Sequence, residues 1–234
     1  MRLSRDTALK IHALLDQWLP PILRDQRWLM KPLIKHVFKQ HTAIVLDFKK
    51  RAWCMSDGEY TEAYRLTSQV GMERPTDLNQ ACISKIQSSV FGTTVLEVGC
   101  GRGHLVNLLR SDYNVTASDI VIPANLKNLY PDVAFHEADI ENLPFADASF
   151  DTVICTHTLE HVRHLQKAIS ELRRVSRKRL IIVVPKQRPY LYTFDLHIHF
   201  FPYLHSFLQV MGTEGLNLVC TDEGGDIYYQ EDRS

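Results

Sequence analysis

Three glycines at alternate positions, Gly99, Gly101 and Gly103, follow directly on an apolar run of Val95, Leu96 and Val98 that encloses Glu97. Beyond them His104 and Leu105 open an apolar, helix-compatible segment. A strand, a tight turn and a helix start in that order confine the chain to α/β architectures in which bare backbone borders a ligand. Glycine permits positive φ in such a turn, and the following helix start directs free N–H groups at whatever lies there. Many nucleotide binders share this spacing, so alone it names no chemistry. Asp119 narrows the choice. It ends a second strand-like run, Asn114 to Ser118, about twenty residues beyond Gly99, where a carboxylate can accept hydrogen bonds from two ribose hydroxyls. The plain alternative is an ordinary α/β turn with a surface acid.

Further blocks follow: Ala138-Asp139-Ile140-Glu141-Asn142-Leu143-Pro144-Phe145, Ser149-Phe150-Asp151 and Leu159-Glu160-His161-Val162. With Glu97 to Gly103 and Asp119, they make the chain resemble the class I S-adenosylmethionine-dependent methyltransferases. The likeness is greatest to the branch with small-molecule, sugar and lipid acceptors. It covers roughly residues 90 to 185; the first ninety residues or so and the last fifty match much less. The resemblance implies an α/β fold, a doubly wound seven-stranded Rossmann-like sheet with an N-terminal helical cap. It implies a cap or lid over residues 1–90 and a cofactor-binding domain over 91–234. The cofactor it implies is S-adenosyl-L-methionine, held by Glu97, Gly99, Cys100, Gly101, Gly103, Asp119, Ile120, Asp139, Ile140 and Thr156. Asp139 would receive the adenine amino group, since a carboxylate accepts only and matches an exocyclic NH₂. The Ile140 amide would face a ring nitrogen. The plain alternative for Asp139 is a helix-cap aspartate.

The 234 residues suffice for one α/β domain and an appendage, and the apolar fraction of 45% is that of a globular protein. The formal net charge of +0 gives no general attraction to nucleic acid. Five cysteines without a C-x-x-C pair read as reduced thiols, which with no export signal and no bilayer-length apolar run predicts a cytoplasmic protein.

Ala8, Ile11, Leu14, Leu15 and Trp18 predict a one-faced helix over 6–18, ended by Pro20-Pro21. A second helical stretch, Ile22 to Gln40, interleaves Arg24, Arg27, Lys31, Lys35 and Lys39 with apolar residues, and Pro32 bends or restarts it. Thr42 to Phe48 suits a short strand or a buried helical piece, and Lys49-Lys50-Arg51 closes it. This basic region is either a patch for an anionic acceptor (phosphorylated lipid, nucleotide-sugar or RNA) or a solvated helical cap. Helices are expected over Tyr60 to Val70 and Thr76 to Ser88, the latter capped by Thr76 or Asp77. Tyr60 and Tyr64 are candidate lid aromatics, or simply core.

In the domain itself, strands are expected at Thr94–Val98, up to Asp119, at Val133–His136, Asp151–Cys155 and Leu180–Val184. Helices alternate with them at His104–Ser111, Ala124–Leu129 and Gln166–Ser176. A helix at Leu204–Met211 and strands at Leu216–Cys220 and Ile227–Tyr229, joined by a turn at Asp222-Glu223-Gly224-Gly225, finish the chain.

His157 and His161 follow strand four, at the carboxyl end where open α/β sheets bind ligands. Asp195, His197 and His199 share one face if Tyr192–Phe201 is extended. That trio reads as a general base, as a divalent-metal site with three ligands in view, or as a structural polar face. His157, His161, His197 and His199 are the candidate bases for a hydroxyl acceptor. Thr156-His157-Thr158-Leu159 stands where amine- and amide-methylating relatives carry an N/D-P-P-Y/F tetrad, which favours transfer to oxygen or carbon. The leading reading is a methyltransferase acting on a small molecule, sugar or lipid precursor. An RNA methyltransferase using the basic N-terminal helices and the Arg173–Arg179 cluster is the alternative, and a non-catalytic scaffold that binds the cofactor is a third.

Overall fold

The computed structural model describes residues 19–68, 75–212 and 217–233. The helix expected over 6–18 and the ends expected at Val70 and Leu216 lie outside them. Contacts divide the chain into two compact units: 19–68 with Gln187–Phe200, and Pro75–Lys186 with the residues from Phe201 onward.

The first unit is helical. It holds α1 (Pro21–Arg24), α2 (Arg27–Phe38), α3 (Thr42–Arg51) and α4 (Asp57–Ser68). Pro32 is accommodated inside α2. The stretch beginning at Thr42, ambiguous by composition, is helical because Val45, Leu46 and Phe48 meet Met30, Ile34 and Phe38 of α2 on one face. Tyr60, Ala63, Tyr192 and Leu196 complete that cluster. The Tyr60 and Tyr64 rings lie 5.3 and 5.9 Å from that of Phe48, and the Tyr64 hydroxyl donates to the Leu196 carbonyl, so both tyrosines pack as core. Gln187–Phe200 forms no helix or strand.

The basic residues of this unit are only partly free. Arg24 is buried, with its guanidinium 4.0 Å from the Tyr190 ring centroid and a hydrogen bond to the Tyr192 carbonyl. Arg27 pairs with Asp47 at 2.7 Å. The Lys49 ammonium donates to Thr193 Oγ1 at 2.5 Å, and burial lowers its pKa to about 8.

The second unit carries the sheet. After α5 (Gln80–Ser89) come β1 (Thr94–Val98), α6 (His104–Leu109), β2 (Asn114–Asp119), α7 (Leu126–Leu129) and β3 (Ala134–Glu137). Then follow β4 (Phe150–Thr156), α8 (Leu165–Val175), β5 (Ser176–Pro185), α9 (Leu204–Met211), β6 (Asn217–Glu223) and β7 (Asp226–Asp232). The strand order is β3-β2-β1-β4-β5-β7-β6. β1 to β5 are parallel, and the β6–β7 hairpin joins β5 antiparallel through β7. This is the seven-stranded Rossmann-like sheet expected.

Alternation along the strands builds a core on each face of the sheet. Leu96, Val98, Leu180, Ile182 and Val184 enter one cluster with Ala168, Ile169, Leu172 and Val175 of α8. Val95, Ile181 and Val183 enter the other with Cys82, Ile83 and Ile86 of α5 and Leu105, Val106 and Leu109 of α6. Helix α5 starts later than expected. Asn79, not Thr76 or Asp77, is its cap and accepts from the Cys82 amide at 2.9 Å.

The arginines between Arg173 and Arg179 form ion pairs within the protein. Arg173 pairs with Glu231, Arg174 with Glu171 and Asp147, Arg177 with Asp151 and Arg179 with Asp232. The cluster ties α8 and β5 to their neighbours, and the charge that suggested RNA binding there is neutralised internally.

Candidate active site

The turn after β1 is set by two backbone bonds: the Gly99 and Cys100 amides donate to the Ser118 carbonyl at 2.8 and 3.1 Å. Gly99 has φ 77° and Gly101 φ 51°, both in the left-handed region. Their needs differ. A Cβ on Gly99 would stand 1.9 Å from Thr158 Oγ1, so that glycine is required by packing. A Cβ on Gly101 would meet nothing within 4 Å. Gly101 therefore opens onto space, as a backbone that lies against a ligand must.

Asp119 ends β2 beside this cradle. Its carboxylate accepts from the Gly101 amide at 2.8 Å and the Val121 amide at 3.2 Å. Burial pushes the carboxyl above its ordinary value, and the amides of Gly101, Val121 and Ile120 pull it back. Glu97 is 3% exposed, and burial followed by the charge of Asp119 pushes it up to about 8. Asp139, just beyond β3, is exposed and accepts from the Glu141 amide at 2.8 Å, while Ile140 is buried. Thr156 is buried at the end of β4, and Cys100 is buried with its thiol pushed up by burial. The expected cofactor residues thus stand at the carboxyl ends of β1, β2, β3 and β4, which the strand order makes adjacent.

The histidines divide between the units. His157 and His161 lie in the second, and His197 and His199 in the first. His157 has φ 48° and its amide donates to the Val183 carbonyl at 2.9 Å. Its Nδ1 is 3.6 Å from Glu160 and its Nε2 3.5 Å from Asp226. Burial opposes its charge, but Asp226 and Glu160 outweigh burial and push it up to about 10. Asp226 also accepts from the Asn79 amide group at 2.8 Å. His161 Nε2 is 4.0 Å from Glu160, with a quarter of its side chain exposed, 25%.

In the first unit, His197 Nδ1 lies 2.7 Å from Gln187 Oε1 and 3.5 Å from Asp195, whose carboxylate also accepts the His197 amide at 3.3 Å. The segment is not a strand, so the one-face arrangement conditional on an extended chain does not arise. His199 instead sets its ring edge-on to Trp53, 5.9 Å between centroids. Asp226 carried no local signal in the sequence, because its role depends on pairing with His157 across 69 positions.

Comparison with known proteins places this sheet among methyltransferase folds. Residues 96–184 match the family model described as a methyltransferase domain. An uncharacterized protein of Methanocaldococcus jannaschii is 41% identical over 96 residues, covering 38% of this chain and 40% of that one. The ubiquinone biosynthesis O-methyltransferase of Rickettsia bellii is 30% identical over 144 residues, 56% of each chain. The chain thus spans about half the length of these relatives. Among solved structures, 1,6-didemethyltoxoflavin-N1-methyltransferase of Burkholderia thailandensis, with S-adenosylhomocysteine bound, shares the fold. Its TM-score is 0.55 at 16% identity, over 66% of this chain and 77% of that one. Residues 96–184 thus match a methyltransferase domain, and over that part the chain is similar to S-adenosylmethionine-dependent methyltransferases.

Proposed function

We propose that this protein transfers the methyl group of S-adenosyl-L-methionine to a hydroxyl oxygen of a small molecule, sugar or lipid precursor. The observation that carries the reading is the cradle. Gly101 presents backbone to open space with the Asp119 carboxylate at its amide. In this reading Gly99, Cys100, Gly101 and Gly103 border the cofactor with main chain, supported from behind by Glu97. Asp119 exchanges amide contacts for the ribose hydroxyls, beside Ile120. Asp139 and Ile140 take the adenine edge, and Thr156 lines the floor. The bound cofactor supplies an electrophilic methyl carbon on a sulfonium, so the protein's task is position and exclusion of water.

The acceptor oxygen forms its bond to that carbon as the carbon–sulfur bond breaks, and its proton must pass to a base. His157 is a poor base, because the carboxylates of Asp226 and Glu160 keep it protonated through neutral pH. His161, partly exposed at the end of β4 beside Glu160, suits the task better. His197 and His199 are the comparison candidates. The relative named for O-methyl transfer and the absence of an N/D-P-P-Y/F tetrad favour oxygen over nitrogen.

The test is a screen of hydroxylated aromatics, sugars and isoprenoid precursors with methyl-labelled donor, followed by His161→Gln on any acceptor identified. Label in an ether, with kcat lowered on the order of 100-fold or more in the variant, supports the proposal. Label on nitrogen, or an unchanged kcat in His161→Gln, contradicts it.

A further inference from the structure

The first unit exposes large apolar side chains beside a run of basic residues. Helix α2 buries Met30, Ile34 and Phe38, while Lys31 and Pro32, three and four residues after Trp28, and Lys35, four after Lys31, lie with Trp28 on its exposed side. Trp28 is 70% exposed. Ahead of it, α1 exposes Ile22 at 76% and Leu23 at 44%. Isolated apolar residues on a surface need no explanation, but consecutive aliphatics and a tryptophan set among lysines do. The charge is one-sided: residues 26–46 contain no carboxylate. The two acids that flank them are engaged, Asp25 by the Leu191 amide at 2.7 Å and Asp47 by Arg27.

We propose that α1 and α2 form a docking surface for an anionic lipid bilayer. Ile22, Leu23 and the Trp28 ring enter the boundary between headgroups and acyl chains, and Lys31 and Lys35 pair with lipid phosphates. The lysine stems lie along the apolar layer while their ammonium groups stay at headgroup level. This surface lies wholly in one unit and does not depend on the cofactor cradle. RNA is the less favoured occupant, because exposed aliphatic side chains such as Ile22 and Leu23 offer bases neither stacking nor hydrogen bonds.

The test is co-sedimentation of the full chain with phosphatidylcholine vesicles, with and without phosphatidylglycerol, read together with tryptophan emission. The proposal predicts binding only to the anionic vesicles, with a blue shift. Binding falls at least tenfold in Lys31→Glu/Lys35→Glu and in Ile22→Ser/Trp28→Ser, and the parent's binding weakens as salt rises. S-adenosylhomocysteine affinity stays unchanged in both variants, which separates a lost docking surface from a lost fold. Equal binding to both vesicle types, no binding, or full binding by either variant overturns it. So does a self-associated species that the same substitutions abolish, or tighter binding of single-stranded RNA that they abolish.

Discussion

Two glycines that both have positive φ should answer the same substitution differently. Gly99→Ala and Gly101→Ala both place an L side chain in the left-handed region, which costs about 1–2 kcal/mol. At Gly101 nothing else is touched, since the new Cβ has no neighbour within 4 Å. For a chain of 234 residues that loss lowers Tm by roughly 2–8 °C. At Gly99 the Cβ would stand 1.9 Å from Thr158 Oγ1 and 2.9 Å from its Cβ. Thr158 cannot simply turn away, because its hydroxyl donates to the Thr156 carbonyl at 2.9 Å. Overpacking of that kind adds about 1–3 kcal/mol, for a total near 2–5 kcal/mol. Thermal melts should therefore rank the parent above Gly101→Ala and Gly101→Ala above Gly99→Ala. Calorimetric titration with S-adenosylhomocysteine should show Gly101→Ala, although folded, weakened at least tenfold, which is about 1.4 kcal/mol. A Gly101→Ala variant that binds within twofold of the parent would refute the assignment of that open space to a ligand. A Gly99→Ala variant that melts no lower than Gly101→Ala would refute the packing argument.

Two further outcomes follow from the polar groups. His157 titrates near 10 when folded against 6.5 when free, so its stabilising share is complete below about 6.5 and is lost as pH rises through 10. Urea denaturation from pH 6 to 10 should give the parent a downward slope of up to about 1.4 kcal/mol per pH unit from this group, and His157→Asn, which tolerates the positive φ, should remove that component. Glu231 is 0% exposed and pairs with Arg173 at 2.7 Å, so Arg173→Met should cost on the order of 3 kcal/mol by leaving a buried charge with less compensation. A smaller loss in Arg173→Met/Glu231→Gln than in the single variant would locate that cost in the orphaned carboxylate.

The sequence is most legible where local chemistry and position coincide. The run from Thr94 to Gly103 specifies strand, turn and helix by itself, and Leu204–Met211 has the bounds its apolar spacing predicts. It is least legible where partners lie far apart along the chain. The arginines from Arg173 to Arg179 read as a basic patch until Asp151, Glu231 and Asp232 are placed beside them. His157 reads as a free imidazole until Asp226 is brought to it by the β6–β7 hairpin. Thr42–Arg51 has apolar residues that suit either period, and only packing against α2 makes it a helix. Thr76, Asp77 and Asn79 are all competent caps, and the helix selects the one that also bonds Asp226 and the Glu223 carbonyl.

The measurement that bears most directly on the central claim is calorimetric titration of the intact chain with S-adenosylhomocysteine, beside Asp119→Ala. Asp119 accepts from Gly101 at the cradle and is the residue assigned to the ribose hydroxyls. Micromolar binding by the parent, weakened at least tenfold in a variant that keeps its circular dichroism, is the predicted result. No heat of binding from the folded parent, or equal affinity in Asp119→Ala, would contradict the account.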